Sequence, residues 1–154
     1  MILKPGDPAP DFTLTDSDKN TVTLSTLRGQ NVLLLFFPFA FTGTCTKELC
    51  QMRDDIASYT GLNAAVFGIS VDSRFTLAKY KEEQRLNFPL LSDFNKVVSG
   101  LYGSLYEDFL GMKGVSKRSA FLIDGEGIIR YSEVLENASE IPDFKKIRET
   151  LEAL

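Results

Sequence analysis

Histidine is absent from this sequence of 154 residues. That excludes the Cys-His and Ser-His-Asp arrangements, together with most zinc and haem sites, so any nucleophile must be activated without an imidazole. Cysteine is scarce, confined to Cys45 and Cys50. Apolar runs are short. The longest, Val32 to Phe37, is stopped by Pro38 and falls far below the ~20 residues of a membrane span. The opening Met1-Ile-Leu-Lys-Pro-Gly6 has neither the apolar stretch nor the small-residue cleavage site of a signal peptide. A cytoplasmic location is therefore expected. In that reducing compartment the two cysteines are not expected to form a permanent structural bridge. A basic stripe is missing as well. Seventeen basic residues stand against twenty-one acidic ones, and Lys113, Lys117 and Arg118 make the densest basic group. Neither a nucleic-acid nor a membrane partner is expected from such a surface. No metal or other cofactor is expected either.

What is present suits one ordinary globular core. The composition is 44% hydrophobic and 25% charged, and the length fits a single domain over residues 1–154. Alternation at Phe12 to Leu14 and at Thr21 to Leu24, with Asp16 to Asn20 between, predicts an N-terminal β-hairpin. Val32 to Phe37 and Ala64 to Ile69 read as strands buried on both faces. Helical periodicity follows each, over Cys45 to Tyr59 and over Ser73 to Leu86, where Phe75, Leu77, Ala78 and Tyr80 are the apolar positions. Phe88 to Asp93 is extended, and Lys96 to Tyr102 is a short helix. A loop through Gly111 and Gly114 leads to a second hairpin, Ser119 to Ile123 with Ile128 to Glu133. Pro142, placed in a helix first turn, opens a last helix with Phe144, Ile147 and Leu151 on one face. This order predicts an α/β protein of thioredoxin-like fold: a central mixed β-sheet flanked by helices, with the N-terminal hairpin added.

The segment from Pro38 to Cys45 joins the first central strand to the long helix, where open α/β sheets place their sites. With Thr42 as N-cap, Cys45 falls in the first helical turn, whose free N–H groups and dipole favour an anion. An ordinary thiol of pKa about 8.5 is only about 3% thiolate at neutral pH. A cation about 4 Å away contributes on the order of 4 kcal/mol before desolvation, enough to make thiolate the major form. Full ionisation raises the thiolate population only about thirtyfold, so the site must also act on the transition state. The plain alternative for Cys45 is a small buried core residue. Its place on a Thr-Gly-Thr turn points instead to an exposed, activated thiol.

Pro38, Thr42 and Cys45 reproduce the Pro-x-x-x-Thr/Ser-x-x-Cys signature, and the sequence resembles the peroxiredoxins over nearly its whole length. The supporting segments are Pro5 to Phe12, Gly68-Ile-Ser-Val-Asp72, Phe88 to Asp93 and Arg118 to Asp124. The resemblance implies a peroxidase acting on hydrogen peroxide and organic hydroperoxides. Cys45 is its peroxidatic nucleophile and passes through a sulfenic acid. Arg118 stabilises the thiolate and the charge developing on peroxide oxygens, Thr42 and the Cys45 N–H align those oxygens, and Pro38 shields the sulfur. Taken without the signature, Arg118 is a surface ion pair before an edge strand.

Cys50 matches in spacing the resolving cysteine of the bacterioferritin comigratory, or Q, branch. Five helical residues give a rise of about 7.5 Å and a rotation near 140°, so an intrachain disulfide requires the helix to unwind. The alternative is a one-cysteine enzyme in which Cys50 is a bystander. Phe39 and Ala40 after the proline resemble the alkyl hydroperoxide reductase E branch more closely. With no Val-Cys-Pro segment or C-terminal extension, resolution between subunits is not expected. The implied reductant is thioredoxin or a glutaredoxin-like protein, and the implied assembly a monomer or homodimer. Glu48, one turn beyond Cys45, either tunes the site, pairs with Arg53 or faces solvent. Phe36, Phe37, Phe39 and Phe41 read mostly as core, with Phe39 or Phe41 free to line an apolar mouth or a dimer contact. A thiol–disulfide oxidoreductase, which would ordinarily carry Cys-x-x-Cys, and a non-catalytic module of the same fold are the competing readings.

Overall fold

The sheet is organised around β3 (Asn31–Phe36), whose residues from Val32 to Phe36 are all buried. A strand with helices on both faces must be apolar at every position, which is why this run lacks polar alternation. Its side chains still divide by the period-2 pleat. Leu33, Leu35 and Phe37 pack with Leu49, Met52, Leu77, Tyr80, Ile147 and Leu151 on one side. Val32, Leu34 and Phe36 pack with Phe12, Leu24, Val98, Tyr102 and Phe121 on the other. Each fully buried Leu or Phe contributes about 1.5–3 kcal/mol, so β3 is the main anchor of the fold.

The computed structural model describes residues 2–154. The remaining elements are β1 (Thr13–Asp16), β2 (Thr21–Thr23), α1 (Gly43–Thr60), β4 (Ala64–Ser70), α2 (Arg74–Gln84), β5 (Leu90–Ser92), α3 (Val97–Leu101), β6 (Leu105–Tyr106), β7 (Val115–Ser116), β8 (Arg118–Ile123), β9 (Ile129–Leu135) and α4 (Phe144–Glu152). Seven strands form one mixed sheet in the order β2-β1-β5-β4-β3-β8-β9, with β3, β4 and β5 parallel. The α/β thioredoxin-like class expected from element order is the observed one.

Local differences from the expected elements have physical causes. The loop expected through Gly111 and Gly114 carries the small β6–β7 pair, closed by a two-residue turn in which Leu110 and Gly111 both have positive φ. Asp143, not Pro142, sets the start of α4: its carboxylate accepts from the Lys146 N–H, so Pro142 precedes the cap. Phe75 is 69% exposed, because α2 turns only Leu77 and Tyr80 fully into the core. Arg118 does not precede an edge strand, since β8 lies between β3 and β9. No helix among the described residues is long and apolar enough to cross a membrane.

Candidate active site

Register explains why residues seventy positions apart meet. β8 runs antiparallel to β3 with Ser119 opposite Phe36. Arg118 therefore emerges beside Phe37, at the carboxyl end of β3, where the chain leaves the sheet for α1. Pro38 ends the strand and is buried. Thr42 is the N-cap of α1 with extended backbone (φ −110°, ψ 152°), which puts Cys45 in the first turn. The first backbone bond of the helix runs from the Thr46 N–H to the Thr42 carbonyl at 3.0 Å. The N–H groups of Gly43, Thr44 and Cys45 are left without helical acceptors.

Arg118 holds the cluster together. Its Nη2 donates to Cys45 Sγ at 3.2 Å and its Nη1 to Glu48 Oε1 at 2.8 Å. Nε and Nη2 also donate to the Ala138 carbonyl, at 3.1 and 2.9 Å. Cys45 and Glu48 are three residues apart and share a helix face, so one planar guanidinium reaches both. All three side chains are essentially sealed: Cys45 and Arg118 are 1% exposed, Glu48 0%. Burial opposes the charge on Arg118, but Glu48 and Cys45 outweigh it and hold the guanidinium above its ordinary value.

Two expectations are corrected here. Cys45 is not an exposed thiol; it lies at the floor of a cleft, packed between Arg118 and the core. Glu48 neither faces solvent nor pairs with Arg53, which instead binds Asp54 and the Gln84 carbonyl. The reason for both is the arginine on β8. A guanidinium arriving from the sheet is stabilised by an anionic partner in the interior, and the inward face of α1 supplies it in Glu48.

Thr42 does not use its hydroxyl to cap the helix. Oγ1 donates to the Phe39 carbonyl at 2.8 Å. The hydroxyl hydrogen is thus committed, and the oxygen presents acceptor lone pairs to the cleft. The cleft has a volume of about 360 Å³ and is lined by Pro38, Phe39, Thr42, Cys45, Phe109, Leu110, Met112 and Arg118, among others. Its wall is mostly apolar. Leu110 and Met112 stand at its mouth, 84% and 41% exposed, on the β6–β7 turn. Of the four phenylalanines near the strand end, Phe36 and Phe37 are core, Phe39 lines the cleft, and Phe41 is half exposed. A larger groove of about 730 Å³ between β1, α2 and α3 has no cysteine in its lining.

Sequence reasoning missed the residues that brace this loop. Asp72 Oδ2 accepts from the Ala40 N–H at 2.8 Å and from the Ser70 hydroxyl at 2.7 Å. Burial pushes the Asp72 carboxyl up, against the pull of those two donors. Asp72 belongs to the Gly68 to Asp72 segment that supports the family resemblance, and that was the only available signal. Ala138 contributes a carbonyl alone, which no side-chain pattern announces. Phe41 has φ 65°, a costly conformation for an aromatic residue, and its ring packs 5.0 Å from Tyr80.

Burial pushes the Glu48 carboxyl from an ordinary 4.5 up to about 7, with Arg118 opposing the shift. The carboxyl Oε2 has no hydrogen-bond partner among the described residues. Folded protein therefore retains a proton that the unfolded chain releases across this interval. Stability contributed at Glu48 is greatest below pH 4.5 and falls as pH rises to about 7. Relative to a Glu48→Gln variant, the wild type should lose up to roughly 3 kcal/mol across that window, measured by urea unfolding. Parallel stability profiles for the two proteins would contradict this.

The AhpC/TSA family model matches residues 5–132. Alkyl hydroperoxide reductase E of Mycobacterium tuberculosis is 40% identical over 156 aligned residues, covering 99% of both chains. The crystal structure of peroxidoxin BcpB from the same organism superposes with a TM-score of 0.88 at 33% identity, over 99% of this chain and 98% of that one. A mutant of PrxQ from Xylella fastidiosa shares the fold at a TM-score of 0.88 and 23% identity, over 99% and 98% of the respective chains. With a buried cysteine at a helix start, an arginine on its sulfur and full-length relatives of this kind, the chain belongs to the AhpC/TSA family and is a peroxiredoxin, a thiol-dependent peroxidase.

Proposed function

We propose that Cys45 is the peroxidatic nucleophile and that Pro38, Thr42, Arg118 and, through Arg118, Glu48 form its site. The observation that carries this reading is the single guanidinium that touches both Cys45 Sγ and Glu48 Oε1 at the floor of the cleft. A cation at 3.2 Å stabilises negative charge on sulfur, and Glu48 fixes where that cation sits. The sulfur attacks the terminal oxygen of a hydroperoxide. An S–O bond forms, the O–O bond breaks, and the departing oxygen takes a proton to leave as water or an alcohol. Charge grows on that departing oxygen, where Arg118 is placed to stabilise it. Thr42 Oγ1, its own hydrogen given to Phe39, accepts the hydroperoxide hydrogen, while the Cys45 N–H faces the oxygens from the helix end. Pro38 limits water at the sulfur. The apolar wall of Phe39, Phe109, Leu110 and Met112 suits the alkyl part of an organic hydroperoxide, and hydrogen peroxide fits the same floor.

The Cys45 sulfenic acid is then captured by Cys50. The thiol adds to sulfur, water leaves, and an intrachain disulfide forms. Both cysteines are free in the present structure, and α1 is continuous from Gly43 to Thr60. Capture therefore needs the first turns of α1 to open, because intact helical spacing points the two sulfurs apart. Thioredoxin or a glutaredoxin-like protein reduces the disulfide. Residues 1–154 act as one domain, as a monomer or homodimer, in a reducing, cytoplasmic setting.

Mass analysis of reduced protein treated with one equivalent of hydrogen peroxide, or of an alkyl hydroperoxide, tests both steps. A transient single added oxygen on Cys45 is expected, followed by a species lacking two hydrogens and linking Cys45 to Cys50. A persistent sulfenic acid with Cys50 free would establish the one-cysteine mechanism instead. No oxidation faster than that of free cysteine would remove the assignment of Cys45.

A further inference from the structure

The opening of α1 has a counterpart on α2. Tyr80 and Gln84 are four residues apart on α2, and Thr46 and Cys50 are four apart on α1, so each pair occupies one helix face. The two faces meet in register. Thr46 Oγ1 lies 2.8 Å from the Tyr80 hydroxyl, and Cys50 Sγ donates to Gln84 Oε1 at 3.6 Å. The contacts continue at both ends: the Phe41 ring lies on Tyr80, and Arg53 Nη1 donates to the Gln84 carbonyl at 2.7 Å. Tyr80 is fully buried, and Cys50 is partly buried against the same core.

Cys50 cannot approach Cys45 while it is held to Gln84 and the helix between them is intact. The contacts to α2 oppose that movement from both sides of the cysteine pair. Thr46 is held in the first two turns and Cys50 one turn later.

We propose that Tyr80 and Gln84 are positioning residues that clasp the first turns of α1, and that this clasp sets whether the Cys45 sulfenic acid is captured by Cys50 or oxidised further. The inference rests on the reading of Cys50 as the resolving thiol. Two reactions compete for one intermediate. In capture, the Cys50 thiol and the sulfenic acid give a disulfide and water. In over-oxidation, a second hydroperoxide gives a sulfinic acid and water or an alcohol. Over-oxidation needs the folded site, since Arg118 and Thr42 must be in place around the sulfur; capture needs the open one. A tight clasp favours the sulfinic acid, and a loose one favours the disulfide.

Tyr80→Phe removes only the hydroxyl, and Gln84→Ala removes the acceptor of Cys50 while keeping the backbone carbonyl that binds Arg53. Neither residue touches the cleft. Tyr80→Phe should form the disulfide about fivefold faster, the shift expected from one lost hydrogen bond, and Gln84→Ala about twofold faster, because a thiol is a weak donor. The sulfinic fraction at high peroxide should fall by a similar factor. Reaction of reduced protein with the first equivalent of peroxide should stay within about twofold of wild type, since that step uses the folded site. Amide hydrogen exchange of residues 43–50 should accelerate, with α4 amides unchanged, a readout that a general loss of stability would not reproduce. Thr46 Oγ1 also donates to the Thr42 carbonyl at 2.8 Å, so a Thr46→Val, Tyr80→Phe double variant should match Thr46→Val alone, in which the bond to Tyr80 is already lost. Disulfide formation at the wild-type rate, or unchanged exchange over residues 43–50, would overturn the clasp. Wild-type protein that reaches sulfinic acid and never links Cys45 to Cys50 would instead remove the resolving role of Cys50, and with it the partition proposed here.

Discussion

Replacing Arg118 with methionine is expected to lower kcat/KM for hydroperoxides by about 10²- to 10³-fold, the cost of losing one charged donor aimed at a developing oxyanion. The same substitution should destabilise the protein by up to about 3–5 kcal/mol at alkaline pH, where Glu48 would be charged and buried without its cation, and by less at neutral pH, where the carboxyl can take up a proton instead. Two effects of one substitution need separating. Glu48 is wholly buried and its ion pair is made at 2.8 Å, so removing both charges together should restore most of the stability. An Arg118→Met, Glu48→Gln double variant is therefore expected to unfold near wild-type urea concentrations and still to lack activity. Arg118→Lys provides the intermediate case. A lysine keeps the charge, yet one ammonium cannot reproduce the fork that touches Cys45, Glu48 and Ala138 at once. Stopped-flow peroxide consumption and equilibrium unfolding measure the two quantities independently. An Arg118→Met enzyme that retained wild-type kcat/KM would show that the guanidinium serves folding alone.

Cys45→Ser is expected to abolish peroxide turnover, by at least about 10⁴-fold, the scale on which loss of a nucleophile is felt. A serine hydroxyl presents no anion at neutral pH and cannot form the S–O bond on which the cycle depends. Its oxygen can still accept from Arg118, whose Nη2 lies 3.2 Å from the sulfur it would replace. The variant should consequently fold, and thermal unfolding should stay close to wild type. Cys50→Ser makes the contrast. Its first oxidation should keep the wild-type rate, since Cys50 is outside the cleft, while the sulfenic acid accumulates. Turnover by Cys45→Ser at more than a background rate would place the nucleophile elsewhere in the chain.

The structure changes how the Cys45 thiol is understood, since it is buried. A thiol on a Thr-Gly-Thr turn reads as exposed because turn residues usually are, and Phe41, Thr42 and Gly43 are indeed open to solvent. Cys45 is buried because helix α1 turns it inward after the exposed Gly43, toward Arg118. Access is limited to the cleft, so the small peroxide group can reach the sulfur and a protein disulfide cannot without α1 opening. That restriction favours peroxide chemistry over thiol–disulfide exchange on the same fold.

Chain-local information was enough for much of this protein. Apolar runs at Val32 to Phe37 and Ala64 to Ile69 specify buried strands because both their faces must leave water. The Pro38, Thr42, Cys45 spacing specifies a thiol at a helix start because a proline stop, an N-cap and the first turn follow in fixed steps along the backbone. Properties that depend on which distant segments meet were not available there. Glu48 is an exposed, Arg53-paired or site residue by helical spacing alone, and only the β3–β8 register, which delivers Arg118 to the end of β3, decides among them. The Ala138 carbonyl, the Asp72 brace and the matched pairs Thr46–Tyr80 and Cys50–Gln84 likewise exist only once strands and helices are packed. Periodicity reports which face of an element leaves water; it carries no information about which partner that face will meet. The sequence alone determined the fold class and singled out Cys45 as the candidate thiol, whereas tertiary structure decided which guanidinium reaches that thiol and which residues of α2 hold the helix that carries it, because both depend on segments far apart in the chain.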